Sequence, residues 1–116
     1  MTTTNTGQKI TLAEALDRLP GPQNEQVVSV FEHGSLVVEL YAPRGQDPQT
    51  PHSRDEIYVV ARGVGEFVFG GERQAFGPHD VLFAAAGVEH RFENFSDDFA
   101  VWVFFYGPEG GEVDIS

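Results

Sequence analysis

The chain has 116 residues and a mass of 12.8 kDa, which is the size of a single domain. Seven Lys and Arg against 18 Asp and Glu give a net charge of −11, and this negative field disfavours nucleic acid and anionic membranes as partners. The absence of cysteine excludes thiol catalysis, disulfides and thiolate metal ligands, so a metal site would need nitrogen and oxygen donors.

The N-terminal part of the chain predicts a tail followed by a helix. Residues 1–9 are polar and lack periodicity, so we expect a disordered tail. They show no apolar signal region, and no later stretch reaches the roughly 20 apolar residues of a membrane span, so we expect a cytoplasmic protein. Thr11 and Glu14 have the spacing of a capping box, and the apolar residues that follow share one face. This pattern predicts a short helix over 11–19, ended by Pro20.

From Glu25 onward the pattern changes to short apolar runs separated by residues that favour turns. The predicted strands cover residues 27–32, 35–41, 56–61, 65–69, 81–83, 90–94 and 99–106. Many short strands with turns between them indicate an all-β sandwich or barrel, and we expect eight or more strands in total. The expected domain spans 10–108, and 109–116 form an acidic C-terminal tail.

Two of the predicted strands are apolar on both faces. Residues 57–60 and 99–106 lack the alternation of apolar and polar residues that a half-exposed strand shows. Each must therefore be covered twice, and one short helix can cover only part of that surface. The sequence predicts a homodimer that buries on the order of 1,600 Å² in total.

The chain has four histidines, at His33, His52, His79 and His90. His33 and His79 lie beside turns, where a structural or exposed role is the simpler interpretation. His52 precedes Glu56 by four residues, and Glu56 begins a strongly apolar strand. A carboxylate in that position is costly to bury unless it is paired, hydrogen-bonded or bound to a metal. The alternative is a carboxylate solvated at the end of the strand, with His52 in a surface loop.

These residues belong to two longer spacing patterns, through which the chain resembles the cupin superfamily. The matching residues are His52, Glu56 and Gly63 for the first cupin motif, and Gly87, His90 and Asn94 for the second. The resemblance covers roughly residues 36–106. It implies a small single-domain cupin of the conserved-barrel type. The expected fold is a double-stranded β-helix, or jelly roll, with one short N-terminal helix.

The resemblance also implies a metal site formed by His52, Glu56 and His90. Two imidazoles and one carboxylate with open positions bind non-haem Fe(II), and the same donors accept Mn, Ni or Zn. Thr50 stands where the first motif has another histidine, which leaves three protein ligands. The hydroxyl of Thr50 or the amide oxygen of Gln49 is expected to lie near the open position.

Three further side chains are candidates for the wall of the pocket. Tyr58 shares a strand face with Glu56, and Phe92 shares one with His90, because residues two apart on a strand point the same way. Arg54 is a cation expected near the pocket. Packing in the core is the competing interpretation for both aromatic residues.

Strand alternation also makes a prediction about register. Arg91 and Glu89 should point away from the metal site, whereas Asn94 should share the face of His90. An inward-facing Arg91 would mean that the register is shifted by one residue, which reverses every side chain of a strand.

The functional expectation is a metal-binding cupin that acts on or binds a small, largely neutral or aromatic organic molecule. Resemblance to metal-dependent cupins implies dioxygenase, lyase or isomerase chemistry if the protein is an enzyme. The alternative is a non-catalytic module that binds or senses a small ligand, with or without a metal. The chain has few cationic side chains, among them a single lysine, and this disfavours a heavily phosphorylated substrate.

Overall fold

The computed structural model describes residues 7–113. They contain one helix, α1 (Leu12–Leu16), which begins after the N-cap residue Thr11. The predicted capping box is confirmed: the Glu14 N–H donates to the Thr11 hydroxyl at 3.1 Å, and the Thr11 N–H donates to the Glu14 carboxylate at 3.2 Å. The helix is shorter than the expected 11–19, because after Leu16 the chain changes to tighter turns in which the Arg18 N–H donates to the Ala15 carbonyl at 3.1 Å. No helix in this range is long and apolar enough to cross a bilayer.

The same residues form eight strands in two antiparallel sheets. The strands are β1 (Val27–His33), β2 (Leu36–Tyr41), β3 (Asp55–Arg62), β4 (Gly65–Phe69), β5 (Glu72–Phe76), β6 (Val81–Ala84), β7 (His90–Glu93) and β8 (Ala100–Tyr106). One sheet has the order β1-β2-β8-β3-β6, and the other has the order β5-β4-β7. This arrangement is the predicted jelly roll.

Strand β5 is the element that the sequence prediction missed. Its first four residues are exposed, and only Phe76 is buried. It lies at the edge of the smaller sheet, where it pairs with β4. An exposed edge strand favours charged residues and needs no apolar alternation, so the sequence carries little strand signal there.

The space between the sheets is filled mainly by aromatic rings. The buried residues of this core are Tyr58, Val60, Phe67, Phe76, Ala84, Phe92, Phe99, Val101 and Val103. Phe92 packs edge-on against Tyr58 and Phe99, with ring centroids 4.9 Å from each. The motif glycine Gly63 has a φ of +90°, and a Cβ there would lie 2.6 Å from the Phe99 Cα. Glycine is therefore required where the chain leaves β3.

The outer face of the five-stranded sheet is also apolar. Helix α1 covers part of it, where Ala15 is buried against a cluster that includes Leu40 and Ala100. Farther along, strands β8, β3 and β6 present two rows of apolar side chains, which we call the outer patch. The outer patch consists of Trp102, Val59 and Val81 in one row and Phe104, Ile57 and Phe83 in the other. Val81 is 67% exposed and Phe83 is 52% exposed, so this part of the sheet lacks a cover among the described residues.

The register prediction for β7 is confirmed in one part and wrong in the other. Arg91 and Glu89 lie at the surface, where they approach each other at 3.5 Å. Asn94, however, does not share the face of His90. Its amide donates to the exposed Glu66 at 2.6 Å, because β7 has already ended and the chain turns with a φ of +51°. The alternation of strand faces does not continue into that turn.

The two predicted tails are only partly described. The first six residues of the expected N-terminal tail, 1–9, and the last three of the acidic segment, 109–116, lie outside the described residues. Within the acidic segment, the Glu112 N–H donates to the Asp55 carboxylate at 2.7 Å. The Ala86 N–H donates to the same carboxylate at 2.9 Å. These two bonds lower the pKa of Asp55 and attach the segment to the start of β3.

Candidate metal centre and ligand cavity

Three donor side chains meet where strands β3 and β7 begin. Glu56 is the second residue of β3 and faces the interior, and His90 is the first residue of β7. His52 lies in the loop before β3. The Gly87 N–H donates to the His52 carbonyl at 2.8 Å, so the turn before β7 is fixed against that loop. The backbone therefore brings together side chains that are 38 residues apart in the chain.

The donor atoms of His52, Glu56 and His90 all lie within 4.8 Å of one another. The His90 Nε2 is 2.9 Å from the Glu56 Oε1, and the His52 Nε2 is 3.9 Å from the Glu56 Oε2. The side chains of Glu56 and His90 are each 1% exposed, whereas that of His52 is 36% exposed. The cluster is therefore closed on the side of the barrel core and open on the side of His52.

The hydrogen bonds of His90 assign its two ring nitrogens. The Nδ1 lies 2.7 Å from the Val88 carbonyl, which can only accept, so Nδ1 carries a proton. The Nε2 faces the Glu56 carboxylate and the Tyr58 hydroxyl, the latter at 2.9 Å. Burial acts to lower the pKa of His90, but contact with Glu56 and Val88 outweighs burial and raises it. Nε2 is therefore the atom at which this imidazole can hold a proton or coordinate a cation.

Glu56 tests whether these residues fit a metal. Its Oε1 is buried and has no hydrogen-bond partner among the described residues, because the nearby His90 Nε2 is not aligned for a hydrogen bond. Two ligands at about 2.1 Å from one metal, separated by about 90–110°, stand roughly 3.0–3.4 Å apart. The observed distances of 2.9 and 3.9 Å bracket that range. The three residues therefore fit a divalent cation with nitrogen and oxygen ligands.

Gln49 contacts the cluster, a position that the sequence left open between Gln49 and Thr50. Its Oε1 accepts a hydrogen bond from the Tyr58 hydroxyl at 2.9 Å and lies 3.4 Å from the His52 Nε2. Burial and the Glu56 charge raise the pKa of Tyr58 far above its usual range, so its hydroxyl remains a donor. Of the two candidates for the open position, Gln49 contacts the cluster, whereas Thr50 is exposed and lines the adjoining cavity.

Asp47 holds this arrangement in place and was missed by the sequence analysis. Its carboxylate accepts the Gln49 side-chain amide at 2.6 Å and the Phe92 backbone N–H at 2.7 Å. The Tyr41 hydroxyl also donates to it. Burial and this contact raise the pKa of Tyr41. No local pattern signals such a role, because Phe92 follows Asp47 by 45 residues.

A cavity of about 270 Å³ opens beside the cluster. Its lining residues are Val27, Glu39, Tyr41, Pro48, Gln49, Thr50, His52, Glu56, Val103 and Phe105. Glu39 and Tyr41 come from β2, whose inward-facing residues the sequence could not identify. Burial raises the pKa of Glu39, and the negative charges of Glu56 and Glu32 raise it further.

The remaining predicted pocket residues have other positions. Arg54 does not line the cavity, and its guanidinium donates to the Gly107 carbonyl at 3.1 Å. Phe92 is 1% exposed and belongs to the aromatic core. Tyr58 is fully buried, with its hydroxyl 2.9 Å from the His90 Nε2 and its ring centroid 5.9 Å from that of His90. For Phe92 the packing interpretation is therefore the better one.

The fold and the cluster define a small jelly-roll barrel with a candidate His–Glu–His metal site. Residues 37–106 match the Cupin domain family, and the chain belongs to that family. The resemblance stated from the two motifs is thereby confirmed.

Comparison with individual proteins supports the same fold. An uncharacterized protein of Streptomyces coelicolor is 38% identical over 77 residues, which cover 65% of this chain and 73% of that protein. The structure of a Cupin 2 conserved barrel domain protein from Salinispora arenicola is 20% identical, with a TM-score of 0.67 and coverage of 89% of this chain and 91% of that one. The DMSP lyase DddQ from Ruegeria pomeroyi is 24% identical, with a TM-score of 0.63. That match covers 85% of this chain but only 55% of the lyase, and it concerns the fold alone.

Proposed function

We propose that this cupin binds one divalent metal through His52, Glu56 and His90 and holds a small, largely neutral or aromatic molecule in the adjoining cavity. One observation carries the proposal: the buried Glu56 Oε1 lacks a hydrogen-bond partner while two imidazoles face its carboxylate. A buried carboxylate oxygen without a partner is costly. A cation at this point would offset that cost, and Fe(II), Mn, Ni and Zn all accept these donors.

The cavity and its hydrogen bonds support a role in positioning a ligand. A bound metal with open positions can polarise a ligand oxygen or activate water. The chain itself supplies the Tyr58 hydroxyl and the Gln49 amide, which are oriented by Asp47 beside the cluster. This set is compatible with lyase, isomerase or dioxygenase chemistry, the reaction classes that its family resemblance suggests.

The second candidate function is a non-catalytic module that binds or senses a small ligand. Thr50 favours this alternative, because the position of a fourth imidazole ligand is taken by an exposed hydroxyl side chain. A weaker metal site would suit reversible binding rather than turnover. The two functions share the cavity and differ in whether a bound molecule is chemically changed.

Metal content tests the proposal directly. Untagged protein is loaded with Fe(II), Mn, Ni or Zn, passed through a desalting column and analysed for metal per chain. We expect one equivalent of at least one metal in the wild type and none in His90→Ala, with circular dichroism showing that the variant is folded. His33→Ala is the matched control, because His33 is exposed on β1 and lies outside the cluster. An empty wild type, or full loading of His90→Ala, would refute the assignment.

We also propose that a second copy of the chain covers the outer patch. Its six apolar side chains include the exposed Val81 and Phe83, and contiguous apolar surface of this kind marks protein interfaces. Sedimentation should give twice the chain mass of 12.8 kDa for the wild type and the single mass for Phe83→Glu. Val64→Glu is the control, since Val64 is 54% exposed but lies outside the patch. A monomeric wild type would exclude the dimer.

A further inference from the structure

The cavity contains a second carboxylate, Glu39, which is not one of the candidate metal ligands. Glu39 belongs to β2 and faces the interior opposite Val103, a core residue of β8. It is half-buried and lines the cavity together with Tyr41 and Phe105. In the described part of the chain no Lys or Arg forms a salt bridge with it.

The charges around the cavity are unbalanced. All seven Lys and Arg residues lie in the described range, and none of them lines the cavity. The Asp47 carboxylate near the cavity is offset by the donors of Tyr41, Gln49 and Phe92. Glu56 faces the two imidazoles. Glu39 is thus a carboxylate of the cavity lining without a salt-bridge partner among the described residues. Because it is half-buried, its charge is only partly hydrated and would attract a cation that enters the cavity.

We propose that Glu39 recognises a positively charged amine, so that the cavity binds small organic cations with an apolar or aromatic body and rejects anions of the same size. This inference deepens the proposed function, on which it rests for the use of the cavity as a ligand site, and it replaces the largely neutral ligand proposed there with an amine that keeps an apolar or aromatic body. The rings of Tyr41 and Phe105 line the same space and offer faces on which a cation or an aromatic ring can lie. The raised pKa of Glu39 agrees with a carboxylate that lacks a partner when the cavity is empty of ligand.

Glu39 also disfavours anionic ligands inside the cavity, independently of the negative charge on the rest of the surface. An anionic ligand would meet Glu39 and Glu56 across a cavity of about 270 Å³, without a Lys or Arg in its lining. In such a partly dry site the repulsion between like charges is stronger than in water. A bound metal would attract anions, and therefore the metal-free protein is the form in which the effect of Glu39 can be separated.

Three probes of nearly equal size test the proposal: benzylamine as the cation, benzyl alcohol as the neutral form and benzoate as the anion. Their dissociation constants are measured at pH 7 by ligand-observed NMR titration, on metal-free and on Zn-loaded protein. In the metal-free wild type we expect benzylamine to bind about tenfold more tightly than benzyl alcohol, and benzoate to bind most weakly.

Variants of the carboxylate give the decisive comparison. Glu39→Gln should remove the advantage of benzylamine over benzyl alcohol, and Glu39→Lys should make benzoate the preferred probe. Glu72→Gln is the matched control, because it removes the same charge from an exposed position on β5 and should leave the order unchanged. Circular dichroism verifies that each variant is folded.

The outcomes separate this inference from the proposed function. If the protein holds no metal but the metal-free form prefers benzylamine, the metal proposal fails and the role of Glu39 stands. If metal binds but benzylamine and benzoate bind equally in the metal-free form, the role of Glu39 is refuted. It is refuted as well if benzylamine does not bind at millimolar concentration, or if Glu39→Gln leaves the order unchanged.

Discussion

Replacing Glu56 by Gln should separate metal binding from folding. The substitution keeps the size of the side chain and one acceptor oxygen but removes the charge. Glu56 is 1% exposed, and its carboxylate lies 2.9 Å from the His90 Nε2, so the substitution changes the charge of a buried pair. Removing one partner of a buried ion pair ordinarily costs about 3–5 kcal/mol, because the other charge is left unpaired.

Here the expected cost in the metal-free protein is much smaller. Burial lowers the pKa of His90 and contact with Glu56 raises it, so Glu56→Gln removes the group that favours the charged imidazole and leaves no unpaired charge. The substitution also places an amide NH2 where one carboxylate oxygen was, and this group can donate to the Nε2 of a neutral His90, which offsets part of the lost ion pair. These effects oppose the loss of the pair, and we expect the free energy of unfolding to change by less than about 1 kcal/mol in the absence of metal.

The metal-loaded protein should behave differently. A ligand at about 100 times its dissociation constant adds about 2.7 kcal/mol to the stability of the folded state, which raises the Tm of a domain of this size by about 10 °C. Differential scanning calorimetry with and without ZnCl2 should show this shift for the wild type and for Glu72→Gln, an exposed control on β5. Glu56→Gln should show almost none. An equal shift in Glu56→Gln would refute the ligand assignment, and a loss above about 3 kcal/mol without metal would make Glu56 a structural residue.

Three further variants test the surroundings of the site. Asp47→Asn should lower the free energy of unfolding by about 2–3 kcal/mol in urea, because an amide nitrogen then faces donor groups; Asp97→Asn, an exposed change, should not. Asp55→Asn should destabilise the protein at pH 7, because the pKa of Asp55 is lowered in the folded state. The contribution of Asp55 to the free energy of unfolding is therefore present above the unfolded pKa of about 3.9 and is lost as the pH falls below that value. The difference between wild type and Asp55→Asn in urea unfolding should therefore shrink as the pH falls below that value. Thr50→His should tighten Zn binding in a chelator competition, whereas Thr50→Ser should leave it unchanged.

Much of the fold could be predicted from the sequence because it rests on local patterns. The capping box, the apolar runs and the turn residues each depend on neighbours in the chain, and the observed strands follow them closely. Strand β5 could not be predicted, because it lies at an edge and buries only Phe76. The face of Asn94 was predicted wrongly, since alternation was extended one residue beyond the end of the strand.

The candidate site divides in the same way. His52, Glu56 and His90 could be singled out from spacing and from the family resemblance, and the structure brings them together, while metal binding itself stays a prediction. Glu39 and Asp47 could not be found from the sequence. Their roles depend on which face of β2 points inward and on how a loop packs against a distant strand.

Family membership alone does not identify the substrate of this chain, and the position of the cavity explains why. Phe67 and Phe92 pack against Tyr58 and close the barrel on the core side of the cluster, so the cavity opens away from the aromatic core. The rim is formed by side chains of β2 and β8 and by the loop before β3. Substitutions of the exposed lining residues, such as Thr50, leave the core contacts intact, so ligand specificity can change while the barrel stays the same. The proposed role of Glu39 follows the same logic, since it assigns the choice of ligand to a charge on that rim and not to the fold.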